Sequence, residues 1–284
     1  MAKISIIIPL YNKEKFIRST IQSILQQDFQ DFEIVIVDDG SKDNSAKIIK
    51  SFTDLRIRLV QQRNQGVSAA RNRGINEAQG DYIFFLDADD TLRHDALNSL
   101  VSAANEHLDA ELIVASFVYR DYDGNIIDTC KNIDLGYLRD PFMSIWNKKV
   151  SFRTGNILLR KALIDNNVFF NKNLSLYEDL DWLLRLLEKA RVFSIEKAVL
   201  DYNRYEGGLS SHQNSFGKDY ASIALLANCT NKFEKKILAN FLFRRALVYL
   251  KFRNLHAFKK IIDNNKGYIV YSFCSFLCSI FKSK

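Results

Sequence analysis

The sequence predicts an α/β fold: a mostly parallel sheet flanked by helices, followed by a helical C-terminal extension. Three observations carry this. Short apolar runs alternate with segments of helical spacing over residues 1–120, the rhythm of strand–helix–strand crossovers. The runs are apolar throughout rather than every second residue, as in strands buried on both faces. From Asp219 onward only helical patterns remain.

The elements follow in order. Residues 4–8 form a first strand that ends in Pro9-Leu10-Tyr11-Asn12. Residues 13–27 place Phe16, Ile17, Ile21, Ile24 and Leu25 on one helical face. A second strand, 34–37, runs into Asp38-Asp39-Gly40-Ser41, with a helix from about Asn44. A strand at 57–60, a helix at 67–78 and a strand at 82–86 follow, the last ending in Asp87-Ala88-Asp89-Asp90. A helix at 92–105 and a strand at 112–117 complete the regular part. Beyond residue 120 the rhythm breaks into a hairpin turn at 121–125, strands at 156–159 and 199–203, a helix at 178–190 and a loop at 204–214. Helices are expected at 238–250 and 255–262. Open parallel sheets bind ligands outside the carboxyl ends of their strands. The polar segments after the first, second and fourth strands therefore share one sheet edge.

The 284 residues are 47% hydrophobic and 26% charged, an ordinary globular composition with two prolines and no solenoid repeat. No run reaches the ~20 apolar residues of a membrane span, and the N-terminus lacks the features of a signal peptide. Cys130, Cys229, Cys274 and Cys278 form no CxxC pair, so reduced thiols in the cytoplasm are expected. The net charge is +7, yet residues 232–284 alone hold 12 Lys/Arg against 2 Asp/Glu. Such a tail points to an anionic surface. Residues 268–281 (YIVYSFCSFLCSIF), flanked by Lys266, Lys282 and Lys284, fit an interfacial helix on anionic lipid, the alternative being packing on the domain's own core. No nucleic-acid reader motif is present, so nucleic acid is not an expected partner.

The stretch FFLDADD, 84–90, crowds Asp87, Asp89 and Asp90 behind a buried strand. Two readings stay open on the residues alone. Asp90 or Thr91 caps a following helix, or the carboxylates serve metal-assisted nucleotide binding. At 37–41, Asp39 either closes a strand-to-helix turn or accepts a hydrogen bond from a nucleobase on which Tyr11 stacks. In 64–74, Ser68, Ala69 and Ala70 allow close helix packing, while Arg71 and Arg73 face different ways. Ser175-Leu176-Tyr177-Glu178 matches a capping box, which leaves Asp179 free. Neither GxGxxG nor GxxxxGK[ST] occurs, which argues against dinucleotide oxidoreductases and P-loop NTPases.

Taken together, segments 5–12, 37–41, 66–74 and 87–90 resemble family 2 glycosyltransferases in order and spacing, in detail to about residue 120 and more loosely to about 215. The resemblance implies a Rossmann-like sheet of GT-A type and inverting transfer of a sugar from a nucleotide-diphospho-sugar, by default a UDP-sugar, with Mn²⁺ or Mg²⁺. It implies a catalytic domain over 1–215, nucleotide-binding to 120 and acceptor-side beyond; residues 216–284 remain as the basic helical region whose charge points to membrane association. Carried over by position, Pro9 and Tyr11 lie at the base, Asp39 on a base N–H and Arg71 nearby. Asp87 and Ala88 lie at the ribose, Asp89 on the metal, Arg204 at the diphosphate and His212 as a further metal ligand. Gly155 and Asn156 lie near the donor sugar or acceptor, and Asp179 is the general base. Without ligand the acid cluster is expected to be strained, one carboxyl holding its proton above the usual range. The implied acceptor is a glycan or lipid-linked glycan of a surface polysaccharide or lipopolysaccharide, met on the inner face of the cell membrane. The rival reading is a membrane-bound scaffold of the same fold without turnover, against which intact Asp39, Asp89 and Asp179 argue.

Overall fold

A computed structural model describes residues 4–164, 168–204 and 216–265. The first half alternates as expected: β1 (Ile4–Leu10), α1 (Ile17–Leu25), β2 (Phe32–Asp38), α2 (Ser45–Lys50), β3 (Ile57–Gln61), α3 (Val67–Glu77) and β4 (Tyr82–Phe85). A two-residue β5 (Thr91–Leu92) precedes α4 (Ala96–Glu106) and β6 (Leu112–Arg120). The second half contains β7 (Ile126–Cys130), β8 (Gly136–Tyr137), α5 (Pro141–Trp146), β9 (Ile157–Arg160), α6 (Lys161–Ile164), α7 (Glu178–Leu187) and β10 (Val192–Asn203). α8 (Lys232–Lys251) and α9 (Leu255–Asn264) close the described chain.

The strands form one sheet in the order β3-β2-β1-β4-β9-β6-β10-β5, with β7 beside β6 and β8 beside β10. β1, β2, β3, β4, β6 and β10 run the same way, and β9 reverses between β4 and β6. In register, Leu10 lies opposite Asp38 and Ile7 opposite Phe85. The carboxyl ends of β1, β2 and β4 therefore open onto one edge.

Two expectations change. The helix expected at 92–105 begins at Ala96, because Leu92 pairs with Leu200 of β10. Asp90 caps nothing; its carboxylate accepts the N–H of Asn203, 2.9 Å away. The strand expected at 199–203 is twelve residues long. Its first half escaped notice because exposed Glu196 and Lys197 interrupt the apolar run, where the register to β6 also shifts.

Helices cover both faces. α1 and α4 bury Ile17, Ile21, Ile24, Leu97 and Leu100 against Ile6, Ile8 and Phe84. On the other face, Ile75 of α3, Trp182 of α7, and Leu238, Leu242 and Tyr249 of α8 share a cluster with Ile7 and Phe85. The described part of the C-terminal region thus packs on the sheet's own core. Its outer side still exposes Leu247, Leu250, Phe252 and Leu255. Residues 268–281, read as an interfacial helix, lie outside the described residues. Among the described residues no helix is long and apolar enough to cross a membrane, and Cys130 and Cys229 are free.

α3 approaches β1 closely because residue 74 is glycine: a Cβ there would lie 2.2 Å from Cγ2 of Ile7, which is fully buried. Gly74→Ala is expected to force α3 off the strand and to cost about 1–3 kcal/mol, measured by denaturant unfolding. A variant as stable as the parent would show that the contact relaxes freely.

Candidate active site

The loops after β1 and β2 are knitted together. Asn12, in the left-handed region at φ 50°, accepts the N–H of Lys42 at 2.8 Å and donates its own N–H to Ser41 at 3.1 Å. The N–H of Lys13 reaches Ser45 at 2.8 Å. Tyr11 stands exposed at this rim and Pro9 is half-buried behind it. Asp39 is buried, and its carboxylate accepts from Gln62 Nε2 and from the N–H groups of Gln65 and Gly66, all at 2.8 Å. Here Asp39 fixes the approach to α3, at a glycine whose φ of 91° a side chain would strain.

The acids after β4 do not share one counter-charge. Asp87 pairs with Arg71 at 2.9 Å, and Asp89 with Lys13 Nζ at 2.5 Å. Asp90 is buried; burial, reinforced by Asp87 and Asp89, pushes its carboxyl well above the ordinary aspartate range. Burial and the same three acids push Tyr202 up to about 12 despite the pull of Arg153. Ala88 is buried, its carbonyl accepting from Thr20 Oγ1 at 3.0 Å.

Arg71 is the joint between two parts of the chain. Its guanidinium, almost fully buried, donates to Asp87 at the end of β4 and to Glu178 Oε1, 3.0 Å away, at the start of α7. The capping box read at 175–178 does not form. Tyr177, not Ser175, precedes the helix, at φ 59° and with no side-chain cap, and Glu178 spends its carboxylate on Arg71. Burial holds Glu178 above its usual value against the pull of Arg71, and the neighbouring Asp179 adds to the rise. Burial opposes the charge of Arg71, but Asp87, Glu178 and Asp179 outweigh it and hold its pKa above the ordinary arginine value.

Asp179 lines a cavity of about 220 Å³ together with Arg153, Thr154, Tyr177 and Phe241. Arg153 donates to Tyr119 Oη at 2.9 Å and lies 5.1 Å from the ring centre of Tyr202. Burial works against its charge, but Tyr119, Tyr202 and Asp179 keep it above its ordinary value. Arg204 is exposed, its guanidinium 3.9 Å from the ring centre of Tyr119. Asn156 does not face the cleft. It is fully buried, donating to the carbonyls of Ala115 and Ser151 and accepting the N–H of Arg153, so it sets the loop that carries Arg153. His212 lies outside the described residues. Among them no three His, Cys, Asp or Glu side chains converge as a metal site.

Asp87, Asp89, Arg71 and Asp179 thus gather at the carboxyl end of β4, with Asp39 and Tyr11 along the same edge. Lys13, Arg153 and Glu178 were missed. Lys13 follows the Tyr-Asn pair directly, a readable signal, whereas Arg153 and Glu178 acquire partners only through tertiary contacts.

Removing one partner of a buried pair strands the other charge. Arg71→Met is expected to cost about 3–5 kcal/mol, with part recovered in Arg71→Met/Glu178→Gln, since the second change removes the stranded carboxylate. Urea unfolding of the two variants checks this; a double variant no better than the single one would discount the Glu178 contact.

The sequence profile described as Glycosyl transferase family 2 matches residues 5–168. Glycosyltransferase GlyA of Streptococcus pneumoniae is 39% identical over 117 residues, 40% of this chain. The match spans only 17% of GlyA, so the chain corresponds to a small part of that protein. The uncharacterized glycosyltransferase YibD of Escherichia coli is 29% identical over 278 residues, covering 92% of this chain and 80% of YibD. In structure, Staphylococcus aureus TarS 1–349, crystallised with UDP-GlcNAc, superposes with a TM-score of 0.69 at 23% identity, covering 88% of this chain and 73% of that one. That likeness concerns the fold, a GT-A-type α/β sheet. With the profile spanning β1 through β9 and the acids of β2 and β4 at one edge, the chain belongs to glycosyl transferase family 2.

Proposed function

We propose that the protein transfers a sugar, with inversion, from a nucleotide-diphospho-sugar to a glycan or lipid-linked glycan. The observation that carries this is the Arg71 bridge. It holds the strand end bearing Asp87 and Asp89 to the helix start bearing Asp179, so donor acids and a further carboxylate face one cleft. The UDP-GlcNAc bound by TarS favours a UDP-sugar as donor. In this reading residues 1–215 carry the donor-binding and catalytic groups, and 216–284 adds the association with membrane.

Tyr11 and Asp39 receive the base, Asp87 and Ala88 the ribose, and Arg204 the diphosphate. The acceptor hydroxyl gives its proton to the Asp179 carboxylate as its oxygen attacks the anomeric carbon. The bond from that carbon to the diphosphate oxygen breaks on the opposite face, and the configuration inverts. Asp87 and Asp89 are hard oxygen donors, partly exposed to the cleft. One or two carboxylates plus substrate phosphates suffice for Mg²⁺ or Mn²⁺, so Asp87 and Asp89 would hold such a cation. His212 is the candidate further ligand. A cation held there would supply positive charge against the departing diphosphate.

Membrane association at the inner face is supported by exposed Leu247, Leu250, Phe252 and Leu255, which lie beside Lys251 and Arg253 at the α8–α9 turn. Apolar side chains among cations suit an anionic lipid surface. A growing surface polysaccharide or lipopolysaccharide, assembled on lipid, is the acceptor this favours.

Two outcomes follow. Asp179→Asn is expected to lower kcat for transfer by about 10²–10⁴-fold with UDP affinity within twofold of the parent; equal turnover would remove Asp179 from the chemistry. UDP with Mn²⁺ is expected to raise the Tm of the parent, as a ligand of the folded state does, and to raise that of Asp89→Ala much less. Thermal shift with and without Mn²⁺ reads this, and identical shifts in both proteins would count against Asp89 as a ligand.

A further inference from the structure

The cavity beside Asp179 has a wall that comes from outside the matched family region. Phe241 belongs to α8, more than seventy residues beyond the profile's end at 168. Its ring meets that of Tyr177 edge-on, centroids 4.9 Å apart, and stacks on Tyr220 at 5.8 Å. Tyr177 is 37% exposed and adopts a left-handed backbone conformation that is costly for an aromatic residue.

A buried network holds it there. Arg245 of α8 lies 5.1 Å from the Tyr177 ring centre and donates to Asp219, which is fully buried and also accepts from Tyr249 Oη at 2.7 Å. The chain around Asp219 grips the segment before Tyr177: Ser175 N–H donates to the Lys218 carbonyl at 2.9 Å, and Tyr220 N–H to the Leu176 carbonyl at 3.1 Å. None of these groups takes part in the chemistry proposed above. Their common effect is to fix two aromatic rings beside the Asp179 carboxylate.

We propose that Phe241 and Tyr177, their rings at 70° to one another, form a cornered aromatic platform against which one sugar ring of the acceptor packs, so that α8 completes the acceptor subsite. This rests on the glycosyltransferase reading and adds the occupant of the cavity. Three features choose that occupant. The volume of about 220 Å³ lies below the ~300–1,000 Å³ of pockets for drug-sized ligands, which suits a single ring rather than a chain. The lining joins aromatic faces to a few polar groups, Asp179, Arg153 and Thr154. A pyranose has the matching character: C–H bonds on its face and hydroxyls at its edge. The carboxylate and guanidinium take the hydroxyls, and the rings take the C–H face. Arg245 and Asp219 act through Tyr177 and are positioning residues.

The test is saturation-transfer NMR with the methyl β-glycosides of glucose, galactose, N-acetylglucosamine and N-acetylgalactosamine. The full chain is used with and without UDP and Mn²⁺, as wild type, Phe241→Leu and Phe241→Tyr. Leucine keeps apolar bulk without a ring, and tyrosine keeps the ring. At least one glycoside is expected to bind the wild type and Phe241→Tyr, with a Kd at least tenfold weaker in Phe241→Leu. No signal from any of the four with wild type, or equal binding by Phe241→Leu, overturns the proposal. UDP binding, followed by thermal shift in the same samples, is read separately. Its absence in wild type would sink the donor reading, while its presence beside a failed glycoside arm would sink only the platform.

Discussion

One buried guanidinium sets the geometry on which the cleft depends. Arg71 arrives on α3, a helix seated tightly on β1 because Gly74 permits it. From there it reaches both the end of β4 and the start of α7. A charge so buried persists only with partners, and Asp87 and Glu178 are those partners. The constraint runs in both directions: the carboxylates keep the arginine charged, and the arginine fixes the spacing between two loops from separate halves of the chain. Phe170, whose ring centre lies 5.2 Å from Arg71, is itself held by reciprocal hydrogen bonds to Asn72. The joint therefore sits inside packed structure.

Around this joint the site divides its labour by depth. Groups at the floor, Asp39, Asn156 and Asp90, are buried and hydrogen-bonded to the backbone around them. They give loops their shape. Groups nearer solvent, Tyr11, Asp87, Asp89, Asp179 and Arg204, keep part of their surface open. Polar residues in one short motif thus serve different ends, and adjacency in sequence does not predict which. Asp89 and Asp90 are neighbours, yet one pairs with a lysine and the other is shut away.

The first half of the fold was legible because strands buried on both faces write continuous apolar runs, and the helices between them keep a clear period. β1 to α3 fall within a few residues of expectation. The second half was less so. β9 runs against its neighbours, an arrangement no local pattern encodes, and the front of β10 is masked by Glu196 and Lys197 where the strand meets solvent. In the site, the acids were legible from their crowding behind a strand. Their partners were not, since Arg71 and Glu178 stand 107 positions apart and only folding brings them together. The capping-box pattern at 175–178 misled for a related reason: a tertiary ion pair outcompeted a local hydrogen bond for the same carboxylate.

The shut-away Asp90 changes the electrostatic character of the cleft. Counted by composition, the edge carries Asp87, Asp89, Asp90, Glu178 and Asp179 against Lys13, Arg71 and Arg153, an excess of negative charge that should repel a phosphorylated molecule. Burial disfavours the ionisation of Asp90 and so works against that excess, while Glu178 has its charge matched by Arg71. In the donor reading proposed above, an arriving pyrophosphate then meets less negative charge than a row of five acids would present.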